Sequence, residues 1–124
     1  TQVGSSAASD VYKRQGYITA QSKRLQGANI VFEKKSVTGT ENIIMAASLA
    51  KGLTKINNAA NEPEISDLCL FLNKMGARIS GYGTDQIQID GVETLIGTKH
   101  KPIPDRIEAG TFMIATNFVE KSRL

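Results

Sequence analysis

The apolar positions of this chain change period several times, and each change marks an element. In GYITAQS (16–22) and ANIVFEK (28–34) apolar or β-branched residues alternate with polar ones. The same rhythm returns in LTKINNA (53–59), ARISGYG (77–83) and QIQIDGV (86–92), the last two separated by the turn residues Thr84 and Asp85. These stretches predict strands. Between them, Ile65, Leu68, Leu72 and Met75 recur at three- and four-residue steps, which predicts a helix over Glu62 to Met75 with one stripe on a sheet and with Asp67, Asn73 and Lys74 turned to water. From Gly39 to Lys51 the apolar residues Ile43, Ile44, Met45, Ala46, Ala47, Leu49 and Ala50 surround the whole circumference, which predicts a helix buried on every side. A third helix begins near Arg106. The predicted order is β-α-β-α-β-β, then β-α.

The helix starts share one spacing. Thr38 is followed three residues on by Glu41, Asn61 by Glu64, and Asp105 by Glu108, each ahead of an apolar run; this is the capping-box pattern, in which side chains satisfy the free N–H groups of a first turn. Gly52 and Gly76 stand where the first two helices should close through a left-handed residue. SVTGTENIIMAASLA can also be laid on IPDRIEAGTFMIATN, cap on cap, a weak long-period repeat. Such repeats bury their apolar faces against their neighbours. The chain therefore reads as one full unit plus the start of the next, cut from a longer protein.

Composition narrows the class. With 124 residues, 40% of them hydrophobic, the chain can bury one core, and no apolar run is long enough to span a bilayer. The single cysteine, Cys69, excludes an internal disulfide; together with the lack of a secretory apolar segment it makes the cytoplasm the expected location. The net charge of +3 is uneven: residues 1–60 hold eight Lys/Arg against three Asp/Glu, and residues 61–124 hold seven against nine. The basic residues come in isolated pairs (Lys13-Arg14, Lys23-Arg24, Lys34-Lys35) without interleaved aromatics, which argues against nucleic acid and suits a phosphate-sized target. The first fifteen residues, small and polar with no period, read as an unstructured or foreign tail.

Candidate chemistry concentrates in KKSVTGTEN (34–42). Two readings of it stand. Thr38 and Glu41 explain a polar helix start as a cap, with Lys34 and Lys35 as solvated charges. Alternatively, the first-turn N–H groups and helix dipole, the Ser36 hydroxyl and the small Gly39 hold an anion. It is not a Walker loop, because the lysine and serine precede the glycine. Cys69 lies within the amphipathic helix with no base nearby and reads as a buried small hydrophobe. His100, between Lys99 and Lys101 in a strand-like stretch, reads as exposed, and with no second histidine no metal is expected. Glu62, Glu64, Asp105 and Arg106 stand at helix starts as caps, with Arg106 placed to pair with one of the glutamates; a role in supporting a substrate site is the alternative. No cofactor is implied.

Taken together, TGTEN, NEPE, LNKMGA and PDRIEAGT, in register from Gly16 to Ala115, resemble the bacterial UDP-N-acetylglucosamine enolpyruvyl transferases of the EPSP synthase-like superfamily. The resemblance implies an inside-out α/β barrel built of βαβαββ units around buried helices. It implies transfer of enolpyruvyl from phosphoenolpyruvate to the sugar 3-hydroxyl of UDP-N-acetylglucosamine, the committed step toward peptidoglycan and hence cell wall, shape and division. It also implies that Lys34, Lys35, Ser36 and Val37 contact the UDP-sugar, with Thr38 close by where the family often has glycine. The family's reactive cysteine, phosphoenolpyruvate lysine and catalytic aspartate match no residue here. After Ala115 the pattern is lost, so residues 16–124 are expected to be a partial domain, truncated at both ends, whose partners are the two substrates and the remainder of the parent enzyme. A shikimate-pathway relative and a free-standing nucleotide-sugar or phosphate-binding module are the alternatives.

Overall fold

Alternation along the strands decides which face of the sheet is covered. The computed structural model describes residues 9–14 and 16–122. It comprises β1 (Ser9–Arg14), β2 (Tyr17–Ser22), β3 (Asn29–Val31), α1 (Val37–Ser48), β4 (Leu53–Asn57), α2 (Pro63–Lys74), β5 (Arg78–Ser80), β6 (Gln86–Asp90) and α3 (Arg106–Ser122). From β3 to β6 this is the expected β-α-β-α-β-β order. The strands form one sheet in the order β3-β4-β6-β5, with β3 parallel to β4 and the remaining pairs antiparallel.

The register sets Ile56 opposite Ile87 and Thr54 opposite Ile89, while Ile79 faces Ile89 from the other side. All five are buried. They meet Ile44 and Ala47 of α1 and Ile65, Cys69 and Leu72 of α2, and each fully buried isoleucine contributes about 1.5–3 kcal/mol. The intervening residues Lys55, Arg78, Gln86, Gln88 and Asp90 face water on the opposite side, where Arg78 and Asp90 come within 3.6 Å. The unit is two layers, helices on one face of a sheet.

Within this chain α1 is covered on one side only, as expected of a helix of this pattern that lacks the neighbouring units of the repeat. Its buried residues lie on one stripe, Thr40, Ile44, Ala47 and Ser48, and Met45 and Leu49 on the other are 46% and 44% exposed. Ser48 fits the apolar stripe because its hydroxyl donates to the Ile44 carbonyl, satisfying the buried polar group within its own helix. The end of α1 was not legible as a glycine stop. Its C-cap is Leu49, Gly52 lies three residues beyond, and the carbonyls of Ala46, Ala47 and Ser48 accept from the N–H groups of Leu49, Ala50 and Val92. Arg24 donates to the carbonyls just past the helix, Leu49 O (3.1 Å) and Ala50 O (3.2 Å), and to Val92 O (3.2 Å) in the segment that crosses it. A cation at a helix C-terminus also suits the dipole. Arg24 is thus a structural clamp instead of half of an anion-binding pair.

The end of α2 follows expectation. Gly76 takes φ +103°, and the bonds Ala77 N–H to Leu72 O and Gly76 N–H to Asn73 O form a Schellman turn. Its start does not: the N-cap is Glu62, not Asn61, no side chain caps it, and Pro63 removes one donor that would need a partner. Asn73, expected in water, instead reads β5, donating to Ile79 O and accepting from Ile79 N.

Three further differences concern the ends. Residues 1–8 of the expected tail lie outside the described residues, but Ser9–Arg14 is a strand, paired antiparallel with β2 in a two-stranded ribbon. The strand expected just before the third helix is absent; residues 91–105 form an irregular strap. The helix itself continues past Ala115 to Ser122, with Ile107, Phe112, Met113 and Ile114 exposed. No helix among the described residues is long and apolar enough to cross a membrane.

Where the strap leaves β6, Gly91 lies so close to the end of α1 that a Cβ there would overlap the carbonyls of Ala50 and Ala47. Gly91→Ala should therefore lower stability by roughly 2–4 kcal/mol, read by chemical denaturation. Gly97→Ala, with open space around it, is the control and should change little.

Candidate functional site

The turn from β3 into α1 is organised by Ser36. Its extended backbone makes it the N-cap; Oγ accepts from Gly39 N–H at 3.0 Å, and its carbonyl accepts from Thr40 N–H (2.9 Å) and the Thr40 hydroxyl (2.7 Å). Thr40 Oγ1, fully buried, also accepts from Ala60 N–H at 3.0 Å. The cap assigned to Thr38 and Glu41 is thus corrected: Thr38 is exposed, and the cap sits two residues earlier because Ser36 is where the chain is still extended. Gly39 is required for space, since a Cβ there would come within 2.9 Å of Ser36 Oγ and 3.0 Å of the Phe32 ring. The N–H groups of Val37 and Thr38, in the first turn, have no intrahelical partner. Lys34 and Lys35 beside them are exposed and form no ion pair among the described residues.

Val37 also lines a groove of about 960 Å³ whose other walls are Glu62 at the N-cap of α2, Glu64, Asp67, Leu68 and Phe71 along that helix, and residues 98–100 and 102–107 from the strap and the start of α3. Across it, Arg106 Nε donates to Glu64 Oε1 at 2.7 Å and Nη2 to Oε2 at 2.9 Å. That fork holds the Glu64 carboxyl below its ordinary pKa, mainly through the Arg106 hydrogen bonds and next through a backbone N–H, and raises that of Arg106 in turn. Glu62 contributes a carboxylate oxygen, Oε2, that is buried without a partner. Asp105 caps α3, its Oδ1 accepting from Ile107 N–H (2.9 Å) and Glu108 N–H (3.2 Å), as its spacing predicted.

His100 is not exposed as expected. Its imidazole is 10% exposed, stacks on Phe71 with ring centroids 5.0 Å apart, and bonds through Nε2 to Asp67 Oδ1 at 2.8 Å. Asp67, expected in water, is thereby occupied; its Oδ2 accepts from Ile103 N–H at 3.3 Å. Cys69 is buried and its thiol is pushed up to about 12 by desolvation, so it serves as core and not as nucleophile. No group of three or more His, Cys, Asp or Glu suited to a metal occurs among the described residues.

The structure therefore gathers Val37, Glu62, Glu64, Asp105 and Arg106 on one groove. Lys34, Lys35, Ser36 and Thr38 do not line it but flank Val37 at its edge. Sequence reasoning missed Thr40, Asp67 and His100. The threonine stood within the polar helix start, where Thr38 and Glu41 already accounted for the pattern, and the Asp67–His100 pair spans 33 residues of chain with no local spacing to reveal it.

A parallel-antiparallel βαβαββ unit with a groove at its helix starts, apolar in most of its lining and charged at Glu62, Glu64, Asp105 and Arg106, defines a class. The family model for EPSP synthase (3-phosphoshikimate 1-carboxyvinyltransferase) matches residues 5–122, and the chain belongs to that family, with the α/β fold of the enolpyruvyl transferases. More particularly, it is similar to UDP-N-acetylglucosamine 1-carboxyvinyltransferases: that of Hydrogenovibrio crunogenus is 57% identical over 106 residues, 86% of this chain and 25% of the relative. That of Koribacter versatilis is 57% identical over 106 residues, 86% and 24% of the two chains. A third, numbered 1, from Caldanaerobacter subterraneus subsp. tengcongensis, is 56% identical over 110 residues, 89% and 26%. The chain spans about a quarter of the length of these curated relatives.

Two measurements check the site as described. Ser36→Ala should cost about 1 kcal/mol through loss of the cap, whereas Thr38→Ala should leave the melting temperature nearly unchanged; equal effects would return the cap to Thr38. Arg106→Gln should raise the Glu64 pKa toward the ordinary carboxylate value, followed by carboxyl NMR. Since the folded value lies below the unfolded one, the pair adds stability above the unfolded-state glutamate range, and this is lost as pH falls through the folded value. Arg106→Gln should flatten that acid limb.

Proposed function

We propose that this chain is the UDP-sugar-binding part of an enzyme transferring enolpyruvyl from phosphoenolpyruvate to UDP-N-acetylglucosamine, acting in the cytoplasm on the route to peptidoglycan, cell wall and cell shape. The observation that carries the reading is the placement of Lys34 and Lys35 at the open start of α1, next to the groove, in a chain 57% identical to relatives of that name.

The chemistry is complementary. Two exposed ammonium groups, the unpaired Val37 and Thr38 N–H groups and the positive end of the helix dipole favour the diphosphate. Ser36 can still give its own proton to a phosphate oxygen while Oγ accepts from Gly39 N–H, because a hydroxyl is one donor and two acceptors. Thr38 contributes its backbone and not a cap. On the groove side, Glu62 and Glu64 are acceptors suited to sugar hydroxyl and amide hydrogens, with Arg106 balancing their charge and Asp105 fixing the start of α3. Phosphoenolpyruvate is the second substrate, and the remainder of the enzyme supplies the reacting groups.

Because Ser36 doubles as the cap, Lys34 is the cleaner probe. In a hybrid enzyme in which residues 16–117 replace the corresponding quarter of the H. crunogenus relative, Lys34→Met should raise the KM for UDP-N-acetylglucosamine by roughly tenfold, the loss of one charge-assisted contact. The effect should shrink with added salt, and the KM for phosphoenolpyruvate should hold. Phosphate release measures all three. An unchanged sugar KM in an active hybrid would remove Lys34 from the site.

A further inference from the structure

The strap does not wander from β6 to α3. It crosses the end of α1, where Val92 N–H donates to Ser48 O, then the end of α2, where Ile96 N–H donates to Met75 O. From there it runs back along α2 toward its start. His100 meets Lys74, Phe71 and Asp67, Ile103 meets Asp67, and Arg106 meets Glu64. Glu64, Asp67, Phe71 and Lys74 succeed one another at three- and four-residue steps, so they form one face of the helix. Pro102 and Pro104 carry no N–H. Ile103 N–H is thus the one amide donor from 102 to 104, and it goes to the carboxylate that holds His100.

We infer that Asp67 and His100 are positioning residues, tethering the strap along α2 and so setting Arg106 against Glu64 on the groove wall.

The magnitudes exclude the simpler accounts. An ion pair as exposed as Arg106–Glu64, with side chains 55% and 35% accessible, is screened by solvent and held against the entropy of two long side chains, so it is too weak to order a segment. Packing of the first part of α3 does not place Arg106 either, since residues 106–117 are exposed apart from half-buried Gly110. What is sheltered is the tether, with His100 and Asp67 side chains 10% and 17% exposed. The proton arrangement follows from donor counting. The Lys74 ammonium, 3.3 Å from Nδ1, can only donate, so Nδ1 accepts and Nε2 carries the hydrogen given to Asp67. Both carboxylate oxygens of Asp67 are then engaged by the strap, one by a side chain and one by the backbone.

The consequence for substrate binding rests on the reading of the groove proposed above, but the tether is tested apart from it, on the unliganded chain, by where Arg106 sits. The readouts are the Glu64 carboxyl titration and the Arg106 Nε–H signal in NMR of the 124-residue chain. Neither Asp67 nor His100 hydrogen-bonds Glu64 or Arg106, and loss of the Asp67 charge three residues from Glu64 would by itself favour the Glu64 carboxylate, so a purely local role would not raise Glu64 or release Arg106. Asp67→Ala and His100→Phe, the second retaining a ring on Phe71, should each move Glu64 up toward the ordinary glutamate range and bring Arg106 Nε–H into fast exchange. His100→Gln, which restores a donor at the Nε2 position, should return both toward wild type. The reactivity of Cys69 with a disulfide reagent reports the core. If Glu64 and Arg106 stay as in wild type while Cys69 remains protected in Asp67→Ala and His100→Phe, the proposal is overturned. It is equally overturned if both variants expose Cys69, because the pair then holds the fold instead of placing Arg106. Failure of UDP-N-acetylglucosamine to bind the wild-type hybrid would strike the proposed function and leave the tether standing.

Discussion

The arrangement of the candidate site turns on one buried hydroxyl. Thr40 gives its proton to the Ser36 carbonyl and receives the Ala60 amide, so the turn that carries Lys34 to Thr38 and the loop that leads to Glu62 are fastened to the same oxygen atom. Each of the two partners, if left buried and unpaired, would cost about 1–3 kcal/mol. A β-branched side chain with few χ1 choices in a helix is well suited to hold both bonds at once. The groove exists because the starts of α1 and α2 are kept side by side at this joint.

Around that joint the core is one-sided. Isoleucines of β4, β5 and β6 and the inner stripes of α1 and α2 close against each other, and the polar face of the sheet remains in water. Charge is distributed to match. The helix starts face the groove and its edge, where lysines stand by α1 and carboxylates by α2, while Arg24 closes the far end of α1. The polarity noticed at a single helix start in the sequence is therefore a property of one whole end of the unit.

Period and punctuation made the sheet, the first two helices and the Gly76 turn legible, because these depend on residues within a few positions of each other. The caps were harder. Ser36 and Thr38 are both good capping residues at nearly the same place, and only the backbone angle at Ser36 separates them. The all-apolar circumference of α1 foretold more burial than 124 residues provide: Met45 and Leu49 obey the pattern and still face water. For the candidate site, the assignment of residues 34–38 to a UDP-sugar rests on the resemblance; the capping pattern picked out the charged helix starts that the structure brings to one groove, and the Arg106–Glu64 pair was foreseen in kind. The Asp67–His100 contact was not, since it joins distant segments and each residue taken alone resembles an ordinary surface residue.

The four-stranded sheet has a further property at its margins. Its two edge strands, β3 and β5, are three residues each, Asn29–Val31 and Arg78–Ser80, and an edge this short offers few free backbone groups in a row to a second chain. Apolar residues left in water lie on helices, at Met45, Leu70, Ile107, Phe112, Met113 and Ile114, and on strands, at Tyr17, Ile18, Val31 and Leu53. At the margins of this sheet, contact between copies of the unit or with the rest of a longer polypeptide is therefore steered toward side-chain packing and away from strand-to-strand zippering, which separates assembly through the four-stranded sheet from the route to fibres.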